Sequence, residues 1–546
     1  MEGEEDKRWS TGLGCLRGQR ATTVVDRWLS SLEAEILIFG DGVAGYGFQP
    51  CDFWSKEGIW LCAVLFAFDY EASSPKARVE QSPCSCGAGP ISRSSLGQRF
   101  LISSHSSIQV KHAMTMTEKI LARVSEKSHL EPGENVWVNV DVLMTHDVGG
   151  PGTIGIFKKE FGQNARVWDH EKIVIIPDHY IFTSDERANR NVDILRDFCL
   201  EQNIKYFYDI KGLSNFKANP DYKGVCHIAL AQEGHCRPGE VLLGTDSHTC
   251  NAGAFGQFAT GIGNTDAGFV MGTGKLLLKA AIVLGPSHFK AVECSDDGFK
   301  PSIGKEPADL FGIVPPTLRF VLDGEMPNYL LAKDLILQII GEITVAGATY
   351  KSMEFVGSTI QGLNMEERMT LCNMAVEAGG KNGVVPADEV TFKYLEDKTS
   401  ENYEPVYSDD NARFIGEYRI DVSKVEPLVA KPHSPDNRAL ARECKDVKID
   451  RVYIGSCTGG KTEDFLAAAK VFLASGKKVK VPTFLVPATQ KVWMDIYSLP
   501  VPGSGGKTCS QIFEEAGCDT PTSPSCGACL GGPRDTYARM NEPQAS

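Results

Sequence analysis

Pro521-Thr-Ser-Pro-Ser-Cys-Gly-Ala-Cys-Leu-Gly-Gly532 sets Cys526 and Cys529 two residues apart among residues with almost no side chain. A third cysteine, Cys457, sits in Ile454-Gly-Ser-Cys-Thr-Gly-Gly460, directly after Asp450–Ile454, where a buried strand is expected to turn into a glycine loop. Metals bind thiolates, soft thiolates select zinc or iron–sulfur clusters, and glycine lets the backbone approach a bulky centre. Three is the informative number. A closed zinc site or an electron-transfer cluster takes four protein ligands, whereas three leave one metal position open to substrate. Spacing alone leaves three readings open: a zinc site completed by Cys509 and Cys518 within the Cys526–Cys529 region alone, buried unligated thiols, and an iron–sulfur centre.

Working outward, a chain of 546 residues has room for two to four domains with sizeable cores. Its formal net charge of -14 argues against a general nucleic-acid or membrane-surface role, so an anionic substrate must be met by locally placed Arg or His. The 17 cysteines are odd in number and spread over the whole length, which points to a reducing compartment rather than a secreted disulfide framework.

Residues 1–113 read unlike the rest. The start is acidic, and the apolar run Ile59–Phe68 is too short to cross a bilayer as a helix. From Gln81 to Thr117 there is no Asp or Glu, Ser is frequent, and Arg93, Arg99 and Lys111 supply positive charge. That composition suits a transit peptide, here placed inside the chain, or a disordered linker. It leads to an expected plastid (chloroplast) stroma location.

Globular sequence begins near Met114 and alternates. Val136–Val140, Ile173–Ile176, Ile204–Tyr208, Val241–Leu243, Leu318–Leu322, Arg451–Ile454 and Val479–Val486 read as strands. Ala188–Glu201, Thr265–Leu278, Leu331–Ile343 and Thr462–Ala474 read as helices. The fold class is α/β, with loop chemistry expected at the carboxyl ends of strands. Ala280–Ile313 breaks the rhythm with Gly-Pro, Asp-Asp-Gly and Lys-Pro punctuation and reads as an insertion.

Two polar loops fall where this pattern puts chemistry: Pro177-Asp-His179 after one apolar run and Gly244-Thr-Asp-Ser-His-Thr249 after another. A sequential Asp246-Ser247-His248 triad is excluded if the chain stays extended, because neighbouring side chains then point to opposite sides. Asp246 and His248 share a side, and Gly224-Val-Cys-His227 offers a further imidazole. Asp–His pairs make tunable acid/base groups, since the carboxylate fixes the tautomer and raises basicity. Gly455-Ser-Cys-Thr-Gly-Gly-Lys461-Thr462 also matches a phosphate loop letter for letter. Against that reading, Val479–Val486 leads to Pro487-Ala-Thr rather than to a magnesium-binding Asp.

Together with Thr145-His-Asp-Val148 and Asn373-Met-Ala-Val-Glu-Ala-Gly379, these motifs resemble the large subunits of 3-isopropylmalate dehydratase, in the aconitase superfamily, from about Met114 to Gln544 except Ala280–Ile313. The resemblance implies three α/β domains around a [4Fe–4S] cluster held by Cys457, Cys526 and Cys529, with the fourth iron a Lewis acid. It divides the chain into the atypical leader 1–113, a first domain 114–320 carrying the insert 280–313, a second 321–430 and a cluster-binding third 431–546. It implies an acid pair Asp178–His179, pairs His227–Asp246 and His248–Glu377, and a polar wall of His146, Ser247 and Asn373 against an alkylmalate substrate. A separate small subunit is expected to bring a serine base and an arginine, making a heterodimer, with no nucleic-acid or membrane partner. The family continues beyond Glu542-Pro-Gln with an arginine-bearing segment, so a truncated third domain and a defective isoform are expected here. Relatives acting on homocitrate or methionine-derived alkylmalates, and a non-catalytic cluster-binding protein, are the alternatives.

Overall fold

The computed structural model describes residues 113–211, 217, 219–278, 281–282, 310–311 and 314–527. All of them fall within one compact unit, Ser104–Ser546. The leader 1–112, nearly all of the insert and Cys529 lie outside the described residues.

Five parallel strands form the first sheet, in the order Tyr206–Phe207, Ile173–Ile175, Val142–Thr145, Val241–Gly244, Phe258–Gly261. Alternate residues feed two cores. Val142, Met144, Val174 and Leu242 face one, while Leu143, Ile173, Ile175, Val241 and Leu243 face the other. A parallel sheet covered on both faces requires such unbroken apolar runs. Because the strands are parallel, the chain leaves Thr145, Ile175 and Gly244 at the same edge, in three adjacent strands.

The second sheet is also parallel, ordered Asn382–Val384, Ser352–Val356, Thr317–Asp323, Gly416–Asp421. Its helix Met365–Asn373 starts at a reciprocal cap in which Asn364 accepts from Glu367 N–H and Glu367 accepts from Asn364 N–H. The core of this sheet is continuous with one core of the first: Phe320, Leu335, Ile339 and Phe355 belong to the same cluster as Val225, Ala252 and Phe255.

A third region pairs strands Val452–Gly455 and Thr483–Val486 in parallel, under helices Thr462–Ser475, Gln490–Ser498 and Cys509–Ala516. Phe465, Leu485, Val492 and Phe513 form its core. Its backbone meets that of the first region where Val225 N–H donates to Ala488 O at 2.7 Å and Gln490 N–H to Lys223 O at 2.9 Å. Gly224 makes this approach possible: φ is +128°, and a Cβ there would lie 2.3 Å from Ala488 O. Among the described residues no helix is long and apolar enough to cross a membrane.

The structure corrects several expectations. The expected helix Thr265–Leu278 is a helix Asn264–Thr273 ended by left-handed Gly274, followed by a strand Lys275–Leu278 that pairs antiparallel with Val136–Asn139. Glycine at that cap stops the helix, and Trp168 packs where its Cβ would be. Val136–Val140 therefore lies outside the main sheet, and the central strand Val142–Thr145 was not anticipated. Asp141 separates the two. Its N–H donates to Val241 O at 3.0 Å and its carboxylate accepts from Val241 N–H at 2.9 Å, steering one apolar run into two sheets. Val479–Val486 shortens to Thr483–Val486, and Val452–Gly455 is half-buried rather than buried. The ends of the insert pair as short antiparallel strands, Ala281–Ile282 with Leu310–Phe311.

Candidate active site

At the common edge of the first sheet each strand end contributes one loop. His146 and Asp147 follow the central strand, Asp178 and His179 follow Ile173–Ile175, and Asp246 follows Val241–Gly244. His227 comes from helix Cys226–Gln232. All of these are buried except Asp246, which is partly so.

The groups form one network. His179 Nδ1 lies 2.7 Å from Asp178 Oδ1, and its Nε2 lies 3.4 Å from Asp246 Oδ2. Asp246 Oδ1 takes His227 Nε2 at 2.7 Å and His248 N–H at 2.8 Å. His248 Nε2 meets Glu377 Oε1 at 2.8 Å, and its Nδ1 meets Ser247 Oγ at 3.1 Å. Asp246 and His248 do share a side, though for a reason other than extended chain. Asp246 caps the 3-10 segment Ser247–Phe255, whose first turn folds His248 back over the carboxylate, while Ser247 stays exposed.

These pairings set charge. Burial opposes ionisation of His179, but Asp178, Asp246 and Asp147 outweigh it and raise its pKa well above the usual imidazole value. Burial likewise works against Asp246, yet His227, His179 and His248 hold it far below the carboxylate range. Asp178 is lowered in the same way, by His179 against burial. His227 is raised by Asp246 against the same penalty, and His248, beside Cys457, Asp246 and Glu377, is pushed up to about 11. His146 goes the other way. Burial and the neighbouring cation of His179, whose ring stacks on it at 4.3 Å, lower it. Carboxylates thus favour the charged form of His179, His227 and His248, while burial and His179 disfavour it in His146.

Cys457 reaches this wall from the third region. Ser456–Gly459 is a single helical turn entered at Ser456 with φ +74°, and the buried Cys457 Sγ lies 3.7 Å from Asn373 Oδ1. A hydrogen bond from Cys526, then the imidazolium ions of His248 and His227, hold its thiol well below the ordinary value despite burial. Cys526 is buried too, its N–H donating to Asp178 O at 2.8 Å. Other thiols behave differently. Burial drives Cys226 and Cys250 well above the usual value, and Cys509 and Cys518, in or against the third core, are pushed up to about 11. Depressed pKa marks the ligand-type thiol.

The phosphate-loop resemblance dissolves in the fold. Lys461 is buried, with Nζ 2.6 Å from Thr458 O and 2.9 Å from Asp464 Oδ2, and Thr462 Oγ1 donates to Asp495 at 2.7 Å. The lysine closes the cysteine turn instead of reaching outward.

Sequence reasoning missed two buried residues. Asn251 Nδ2 donates to His227 O at 3.3 Å and its Oδ1 accepts from Asn373 Nδ2 at 3.3 Å, joining the two sheets beneath the site. Asp147 binds the backbone of the Asp178 loop. Its adjacency to His146 was the only signal for it. One donor atom from each of His146, Asp147, Asp178 and His179 lies within 4.8 Å of the others, the spacing of a metal-ion site. The carboxylates, however, are already engaged by amides and by imidazole.

Comparison with known proteins fits this geometry. The aconitase family (aconitate hydratase) model matches residues 118–287, 312–444 and 437–545. The chloroplastic 3-isopropylmalate dehydratase large subunit of Arabidopsis thaliana is 75% identical over 435 residues, 80% of this chain and 79% of that one. The 3-isopropylmalate dehydratase large subunit 1 of Methanopyrus kandleri is 38% identical over 418 residues, 77% and 86% of the two chains. Among solved structures, the holo-form of Thermococcus kodakaraensis aconitase X aligns over 71% of this chain and 79% of that one, at 12% identity and a TM-score of 0.36, too slight a likeness to argue from. The matched blocks span the three sheets and every described residue of the site, and the chain belongs to the aconitase family, among the large subunits of 3-isopropylmalate dehydratase.

Proposed function

We propose that the chain is the catalytic large subunit of an isopropylmalate isomerase, which removes water from 2-isopropylmalate and returns it one carbon over to give 3-isopropylmalate, a step of leucine biosynthesis. One observation supports this above all: three carboxylate–imidazole pairs gather at one sheet edge, and the imidazoles of two of them, His248 and His227, bear on the Cys457 thiol. The donors suit a [4Fe–4S] cluster. Cys457 and Cys526 are soft and buried, and Glu377 Oε2 and His146 Nε2 are buried without a hydrogen-bond partner. With Cys529 as third ligand, such a cluster supplies, when bound, a Lewis-acid iron that weakens the C–O bond.

Hydroxide leaves poorly unless protonated. His179 carries that proton, with Asp178 fixing its ring through Nδ1 and Asp246 facing Nε2. As the carbon–oxygen bond breaks, the Nε2 proton goes to the departing oxygen and water leaves. Re-addition at the neighbouring carbon returns a proton to the Asp178–His179 pair. His227 holds Asp246 ionised, and His248 aims the Glu377 carboxyl through Nε2. His146, Ser247 and Asn373 line the polar wall against the substrate. A separate small subunit brings the base that removes the carbon-bound proton and the cation that grips a carboxylate, making the working species a heterodimer. The name of the Arabidopsis relative and the acid-free stretch 81–117 support a plastid stroma as its compartment.

Anaerobic reconstitution with iron and sulfide, then assay with and without a small subunit, tests the reading. Interconversion of 2- and 3-isopropylmalate is expected only with both chains. Full turnover by the large chain alone contradicts the division of labour, and faster turnover of homocitrate contradicts the substrate.

A further inference from the structure

We infer that Asp147, which has no part in the proton transfer above, is the positioning residue of the Asp178–His179 pair. Its fully buried carboxylate accepts three successive backbone N–H groups: Asp178 at 2.8 Å and His179 at 3.0 Å on Oδ1, and Tyr180 at 2.7 Å on Oδ2. Successive amides of an extended chain point to opposite sides, so three can converge on one group only if Pro177–Tyr180 curls around it. The curl fixes everything the loop carries. Asp178 Oδ1 is set 2.7 Å from His179 Nδ1, Asp178 Oδ2 2.7 Å from Cys226 N, and Asp178 O 2.8 Å from Cys526 N. Asp147 itself follows Val142–Thr145, the middle strand of five and buried throughout. The acid pair and the Cys526 loop are thereby referenced to the rigid middle of the fold.

Only a carboxylate does this. An asparagine offers a single acceptor oxygen, and its NH2 would oppose one of the three N–H donors at a fully buried position. The same occupancy argues against Asp147 as a metal ligand, although its oxygen lies within 4.8 Å of donor atoms of His146, Asp178 and His179.

The inference rests on the proposed role of Asp178–His179, and its test separates the two. In the reconstituted heterodimer, Asp147→Asn is expected to lower kcat by about a hundred-fold, the effect of misplacing a catalytic group by about 1 Å, with KM within about twofold and iron content unchanged. Asp147→Glu keeps the charge but lengthens the arm and is expected to fare no better. Wild-type kcat in either variant overturns the inference, because charge alone, or neither property, would then matter. Should the variants fail to fold, hydrogen exchange in the unaltered chain decides. The amides of Asp178, His179 and Tyr180 are expected to exchange as slowly as those of Val142–Thr145, and rapid exchange refutes the clamp. Zinc bound stoichiometrically by the cluster-free chain and lost in Asp147→Asn refutes it too. Exchange needs no turnover, so a chain inert toward isopropylmalate would sink the proposed function while leaving Asp147 to be judged separately.

Discussion

The two sides of the site are built on opposite principles. On the first-sheet side the acid and base groups largely satisfy one another, through short hydrogen bonds between residues as far apart as His248 and Glu377. On the cysteine side, Cys457 meets an amide oxygen and a second thiol, and its turn is closed by Lys461 and by Thr370 Oγ1 donating to Thr458 O at 3.4 Å. The first wall is mostly paired within the protein, with His146 Nε2 and Glu377 Oε2 lacking a hydrogen bond, whereas the second presents a thiol held below its usual pKa. Changes on the two sides should therefore fail differently.

The largest expected effect is on the cysteine side. Cys457→Ser should abolish bound iron and all turnover, with the far-ultraviolet circular dichroism of the chain retained. Iron bound at the unaltered level would break the contrast. On the other side, Asp246→Asn should leave iron in place and lower kcat by about 10²–10⁴-fold, the usual range for lost general acid–base action. It removes the shared partner of His179, His227 and His248, so coincident loss of iron would show that the walls are not independent.

Lys461→Met should destabilise the third region by about 1.5–3 kcal/mol, the worth of a hydrogen bond to a charged group, read from urea unfolding of the cluster-free chain. Saturable ATP binding by the unaltered chain would overturn the reading of this lysine as an internal clasp. The smallest effect concerns the seam between the second and third regions. Burial pushes Glu366 up to about 7, against the Glu463 N–H it accepts at 2.8 Å. Its folded pKa lies above the unfolded value near 4.5, so the folded chain binds the proton more tightly. Stability attributable to it then falls as pH rises from about 4.5 to 7, by at most on the order of 3 kcal/mol. Glu366→Gln keeps an acceptor for that N–H and should flatten this slope. An unchanged slope would place the titration elsewhere.

In the first sheet Ile173–Ile176 and Val241–Leu243 were legible because enclosure on both faces demands unbroken apolar runs, whereas Phe258–Gly261, with Ala, Thr and Gly after its Phe, was not. Val142–Thr145 was not, because periodicity cannot tell that Asp141 divides one run between two sheets. Gly274 carried a stop signal inside an otherwise helical stretch, and its weight came only from Trp168 packed against it. Residues of the site could be named from their motifs. Asn251 lay outside every motif, and Asp147 stood in Thr145-His-Asp-Val148 with no role attached to it, since both act through hydrogen bonds to parts of the chain remote in sequence.

What the order of residues settled by itself is therefore the α/β alternation and the placing of acid, imidazole and thiol side chains after apolar runs, because these follow from local pattern and side-chain inventory; the kind of chemistry came from the resemblance its motifs carry. That His179 also faces Asp246, which thiol is acidic and which inert, and whether Lys461 points out or in were decided only by tertiary structure. The reason is physical: ionisation and hydrogen bonding depend on burial and on distances of a few ångströms between groups such as His248, Glu377 and Cys457, which linear spacing does not encode.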